Sequence, residues 1–144
     1  MNKLYLIATI AGEDVAIPAH QVESVVKVRD IVKVPSVKPF VSGLFALRSR
    51  VLTLIDCQYF ITGETADVED GQTAIVADIS GHFYGFLVDA VKDVAEPKEE
   101  ETDVPTRLSD AWQSIGSAML SIDGKSTLVV DPSHIIEPVK AKAA

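Results

Sequence analysis

Cysteine is all but missing from this chain, where Cys57 stands alone among 144 residues. A single thiol excludes an internal disulfide framework and a cysteine-built zinc site, and it fits a reducing, cytoplasmic compartment. Positive charge is the minority sign, with thirteen Lys and Arg against twenty-one Asp and Glu and a net charge of −8. Phosphate backbones are bound by clustered cations, so no nucleic-acid partner is expected. Aromatic residues are sparse, one Trp, three Tyr and five Phe, which also argues against a base-stacking platform. No apolar run approaches the length of a membrane-spanning helix, so no membrane insertion is expected. The phosphate-cradling GxGxxG and GxxxxGK(S/T) patterns and the GxSxG elbow of serine hydrolases are missing as well. His20, His82 and His134 lack both HxxxH spacing and neighbouring cysteines, so neither a metal nor a cofactor is expected.

What is present is an ordinary globular composition, 47% hydrophobic and 24% charged, enough for a real core. The charge is unevenly spread: residues 1–50 carry seven basic and four acidic side chains, the remainder six and seventeen. The start, "MNKLYLIATIAG", mimics a short signal peptide. The same pattern returns inside the chain, which assigns it to a strand instead.

Placing "LIATIAGEDVAIPAHQVESVV" (Leu6 to Val26) over "IVADISGHFYGFLVDAVKDVA" (Ile75 to Ala95) aligns apolar residues at a shift of 69. Leu6 meets Ile75, Ile10 meets Ile79, Val15 meets Tyr84, Ile17 meets Phe86, Val22 meets Val91 and Val25 meets Val94, with Gly12 on Gly81. Each copy reads as a strand, a glycine turn, a second strand, a short turn and a third strand. Further on, Val34-Pro35 meets Val104-Pro105, Gly43 meets Gly116, and "TLIDCQYFI" meets "LVVDPSHII". Asp56 and Asp131 each end an apolar strand and are expected to cap a helical turn whose bulky residues dock on the core. The expected organisation is one domain over 1–138 with repeats at 3–66 and 72–138, and a flexible tail at 139–144. The repeats place the two aspartates in separate lobes. "TGETADVEDGQ" (Thr62 to Gln72) and "EPKEEETDVP" (Glu96 to Pro105) read as exposed acidic connections, and "RLSDAWQSI" as one short helical turn. Many short strands punctuated by Gly and Pro predict an all-β fold of small closed barrels.

Few side chains are candidates for chemistry. Cys57, with Asp56 and a histidine, could be drawn as a thiol nucleophile and its base, but directly after the strand "VLTLID" it reads as a small apolar filler. Arg48 and Arg50 lie two apart on an expected strand, so they point to one face, away from Leu47 and Val51. They read either as solvating charges at an edge or hairpin tip, or as planar donors offered to a partner.

The ordered blocks "VAIPAHQVESVV", "VPSVKPFVSGLFALRSRVLTLIDC" and "YGFLVDAVKDV" resemble the CheW-type coupling proteins of bacterial chemotaxis, over roughly Lys3 to Pro138. The middle block resembles that family's Gly-x-x-Asn-Leu-Arg-Gly segment. The resemblance implies two five-stranded SH3-like barrels around a central core. It implies a non-catalytic adaptor that couples the cytoplasmic tip of a methyl-accepting receptor to the regulatory domain of a CheA-type histidine kinase, recruited to membrane receptor arrays. Val22, Ser24 and Gly43 then fall in the kinase-contact region, with Phe40 and Val41 beside Lys38 supplying apolar surface. Gly85, Val91 and Val94 fall in the receptor-contact region, and Arg48 takes the place of the family's characteristic arginine as an interaction residue. Three departures stand out: Ala46-Leu47-Arg48-Ser49 lacks the block's Asn and final Gly, Thr53 replaces a proline, and Ser24 stands where a glutamate is usual, with Glu23 one position early. A one-residue offset on a strand reverses the face, so Glu23 is not expected to partner Arg48. These departures admit a divergent coupling protein that serves a non-flagellar kinase pathway or keeps only one of the two contacts.

Overall fold

The computed structural model describes residues 3–35, 38–65 and 67–136; the expected tail at 139–144 and the last two residues of the second repeat lie outside them. The fold is all-β. Among the described residues ten strands form two five-stranded sheets. In chain order they are β1 (Tyr5–Ile10), β2 (Glu13–Pro18), β3 (Ser24–Lys27), β4 (Val41–Leu47), β5 (Arg50–Asp56), β6 (Thr73–Ile79), β7 (His82–Val88), β8 (Ala90–Ala95), β9 (Gly116–Ile122) and β10 (Lys125–Val130). Short helices α1 (Tyr59–Thr62), α2 (Asp110–Ile115) and α3 (Pro132–Ile136) follow β5, precede β9 and follow β10.

The first sheet has the order β8-β1-β2-β10-β9 and the second β3-β6-β7-β5-β4. Exchanging each strand for its counterpart in the other repeat turns one order into the other. The correspondence extends to single residues: Leu6 faces Val94 across β1 and β8, and their counterparts Ile75 and Val25 face each other across β6 and β3. The barrels do not coincide with the repeats, however. Each sheet mixes strands of both halves, joined by the parallel pairs β2–β10 and β5–β7. The strap after each third strand then crosses to the far edge, bridging Val32 to Leu44 in one barrel and Thr102 to Met119 in the other.

Alternation along the strands sorts the core. In β6, Ala74 and Val76 point into the second barrel with Val28, Phe45, Leu52, Leu54 and Leu87. Ile75, Ala77 and Ile79 point the other way, into the largest cluster, which lies between the sheets and includes Ile10, Val15, Ile55, Phe86, Ile115 and Val130. A strand covered on both faces has no polar side to show, and all of β6 except Asp78 is buried. The first barrel encloses a smaller cluster around Tyr5, Leu120 and Val129.

Hairpin register corrects one alignment from the sequence. Val41 pairs with Ile55 as Gly116 pairs with Val130, so Gly116 corresponds to Val41 and not to Gly43. Bulges beside both pairs conceal the offset from a glycine-to-glycine match. Both aspartates behave as expected: Asp56 Oδ1 accepts from the Tyr59 amide at 3.3 Å, and Asp131 Oδ1 from the Ser133 amide at 2.9 Å. Phe60, Ile61, Ile135 and Ile136 pack on the central cluster. The "RLSDAWQSI" segment forms α2, capped by the Ser109 hydroxyl, which accepts from the Trp112 amide.

Candidate interaction site

Among the described residues the candidate thiol is not placed for catalysis. Cys57 is buried in the central cluster, and burial, reinforced by the nearby Asp56 and Asp89 charges, pushes its thiol well above the usual range. A protonated, enclosed thiol is neither nucleophile nor ligand. Among the described residues no group of His, Cys, Asp and Glu is placed to hold a metal, and no helix is long and apolar enough to cross a membrane.

The outward apolar features of the two edges follow the internal symmetry. Edge strands β3 and β8 each expose one valine at matching positions, Val25 at 43% and Val94 at 53%, while Val22 and Val91 turn inward onto the central cluster. Ser24 is half-buried at the start of β3, opposite Val76. Phe40 and Val41 rest on the same central cluster. The Phe40 ring lies 5.2 Å from that of Phe60, with the Lys38 ammonium 5.8 Å from its centre. Val22, Phe40, Val41 and Val91 therefore share one support.

Gly43 and Gly85 are buried and present no surface. Each permits a close approach: a Cβ on Gly43 would lie 2.8 Å from the Val32 carbonyl oxygen, and one on Gly85 2.8 Å from the Leu54 side chain. Their bearing on any contact is through the backbone they shape.

The two arginines do not share a strand face. Arg48 and Ser49 form a two-residue turn that makes Leu47 and Arg50 direct partners across the β4–β5 hairpin. Arg48, with φ 59°, projects from the tip in left-handed backbone, and Ser49 does without positive φ, so the missing glycine is tolerated. Arg50 forms an ion pair with Glu23, and its guanidinium carbon lies 4.2 Å from the centre of the Phe83 ring. Glu23 indeed does not serve Arg48. That clamp is hidden from a sequence reading because the turn lacks the Asn-Gly or Asp-Gly signal that marks such hairpins. Val25 is less deeply hidden, since its alignment with Val94 already points to it. On the far side, the hydroxyl of buried Tyr5 donates to Glu101 at 2.5 Å and pins the second acidic strap. The first acidic connection is tied by Lys33 to Asp67 at 3.2 Å and tucks Val68 against the second barrel's core.

The family model of the CheW-like domain matches residues 4–140. The chain belongs to this family. A chemotaxis protein CheW of Thermotoga maritima is 30% identical over 133 residues, covering 92% of this chain and 87% of that one. A CheW of Rhizobium meliloti is 26% identical over 76% of this chain and 72% of its own. The crystal structure of a scaffolding CheW from Thermoanaerobacter tengcongensis superposes with a TM-score of 0.75 at 23% identity, covering 90% of this chain and 84% of that one, and has the same fold. A CheW-like chain with such relatives is an adaptor of chemotaxis signal transduction, and the family as a whole is a scaffold and not an enzyme.

Proposed function

We propose that this chain holds a methyl-accepting receptor's cytoplasmic tip and a CheA-type kinase's regulatory domain together, as a cytoplasmic component of membrane receptor arrays. The observation that supports the reading is the residue-level symmetry of the two edges: β3 and β8 are like but unequal strands whose exposed apolar residues are Val25 and Val94. The kinase side is assigned to Val22, Ser24, Phe40 and Val41, with Gly43 shaping the strand beneath. The receptor side is assigned to Val91 and Val94 on β8, with Arg48 on the hairpin tip and Gly85 supporting β7. Tethering both partners to one scaffold raises the effective concentration of each near the other. Exposed aliphatics over a packed base, with cations at the rim, have the anatomy of a protein–protein contact.

The test is a pair of calorimetric titrations, with the kinase regulatory domain and with a receptor cytoplasmic fragment from the same genome. Binding on the order of micromolar is expected for each, with Arg48→Glu and Val94→Glu weakening the receptor and Val22→Ala the kinase. Binding of neither would sink the adaptor reading. Binding of one alone would make this a specialised member that keeps a single contact, as the serines at 24 and 49 allow.

A further inference from the structure

The internal symmetry fails at one place. In the first sheet, Val15, Leu128 and Met119 lie side by side on β2, β10 and β9. Leu108 and Trp112 of the α2 segment share a shallow cleft with them and pack on the same core. The counterparts in the second sheet are Tyr84, Thr53 and Leu44, joined by the same pairings. Among the described residues no helix covers them: ten residues separate Pro105 from Gly116 but only five separate Pro35 from Val41. Tyr84 and Thr53 are accordingly only half-buried, where their counterparts Val15 and Leu128 are buried.

The next cross-strand pair outward sharpens the contrast. On the covered side it is Ser121–Ser126, polar as a solvated rim should be. On the uncovered side it is Ala46–Val51, both exposed, with Val51 at 63% the most exposed large apolar side chain described. The rim charge reverses as well: the turn position held by Asp123 beside Ser121–Ser126 is held by Arg48 beside Ala46–Val51. Among the described residues Arg48 has no partner.

We propose that the patch of Leu44, Ala46, Val51, Thr53 and Tyr84 docks a short amphipathic helix of a partner protein. The occupant inserts a tryptophan- or leucine-sized side chain beside Tyr84 and sets a carboxylate against Arg48. The chain's own α2 shows what such a surface accepts: a single turn or two, one large aromatic and one leucine, with Asp110 in the first turn. An apolar pair at the open rim is placed for burial, and a lone cation there selects an acidic helix. The adaptor reading enters only in naming which partner supplies the helix.

The test is an NMR titration of the full-length labelled chain with a synthetic peptide of its own Pro105–Ile115, up to millimolar concentration. Saturable shifts are expected at Ala46, Val51 and Tyr84, weakened at least tenfold by Val51→Glu and unchanged by Val94→Glu. Unperturbed resonances there, or equal binding by Val51→Glu, would overturn the proposal. Val51 is largely exposed, so the variant should fold, and its unfolding midpoint checks this. Titrations with the receptor fragment and the kinase domain form a separate arm. Loss of receptor binding by Val51→Glu with kinase binding retained supports a helical occupant, whereas loss of kinase binding alone overturns it. If neither partner binds the wild-type chain the adaptor reading fails, and the peptide titration still decides this one.

Discussion

Arg50 is paired with Glu23 across the surface of the second barrel, and the ring of Phe83 lies against its guanidinium. The contact ties the β4–β5 hairpin, with Arg48 at its tip, to the chain entering β3. Both side chains are about half exposed, 49% and 42%, so the ion pair contributes about 0.2–1 kcal/mol and the ring about 0.5–1 kcal/mol more. Arg50→Ala is expected to cost about 1 kcal/mol, and Glu23→Ala to add almost nothing in that background. A urea double-mutant cycle checks it; a full Glu23→Ala cost without Arg50 would mean that the two are not coupled.

Gly43→Ala and Gly85→Ala should differ, although each new Cβ would begin 2.8 Å from a neighbour. At Gly43 the neighbour is the Val32 carbonyl oxygen, which belongs to the bridge closing the barrel, and φ is +152°. At Gly85 it is the far end of the Leu54 side chain, which can turn aside. Losses of roughly 3 kcal/mol for the first and about 1–2 kcal/mol for the second are expected from strain and overpacking. Chemical denaturation of both variants would reveal the ranking, and a reversed order would contradict it.

Cys57 should be silent in the native chain. A buried thiol whose ionisation is pushed upward reacts only when the structure opens. Labelling by a thiol reagent is expected to follow the unfolding curve in denaturant, and fast labelling in native buffer would show that the site is accessible.

Tyr5 should confer a specific alkaline sensitivity. Its hydroxyl is pushed up to about 12, first by burial and then by the hydrogen bond to Glu101 and its charge. A folded value above the unfolded one of about 10 means that this share of stability is intact below pH ~10 and lost as pH rises through about 12. Tyr5→Phe is expected to be less stable at neutral pH and to lose less between pH ~10 and ~12. Stability measured across that window in both proteins tests the difference; parallel curves would remove Tyr5 from the account.

Much of the fold is legible in the sequence. Period-two apolar patterning with matched glycine turns reveals the repeat, and Asp56 and Asp131 announce their helical turns because cap chemistry is local. Pairing partners are not local. Nothing in the spacing of β2 or β5 says that each completes its sheet with a strand from the other repeat. Arg48 and Arg50 read as sharing one face because Ser49 carries no turn signature, and Gly43 matches Gly116 because a bulge is invisible to alternation. The surface pair Ala46–Val51 gains meaning only beside Ser121–Ser126, a comparison that requires the hairpin register.

The exchange of strands between halves also sets an order on synthesis. Every strand of the second sheet lies between Ser24 and Val88, so that barrel can close while the ribosome is still translating the rest of the chain. The first sheet takes β1 and β2 from the start of the chain and waits for β10, which ends at Val130. Until then the amino-terminal hairpin has its antiparallel partner but not its neighbours, and its apolar face must be sheltered by the finished barrel or by a chaperone. A polypeptide wired this way has one early-folding module made from its middle and one late module made from its two ends.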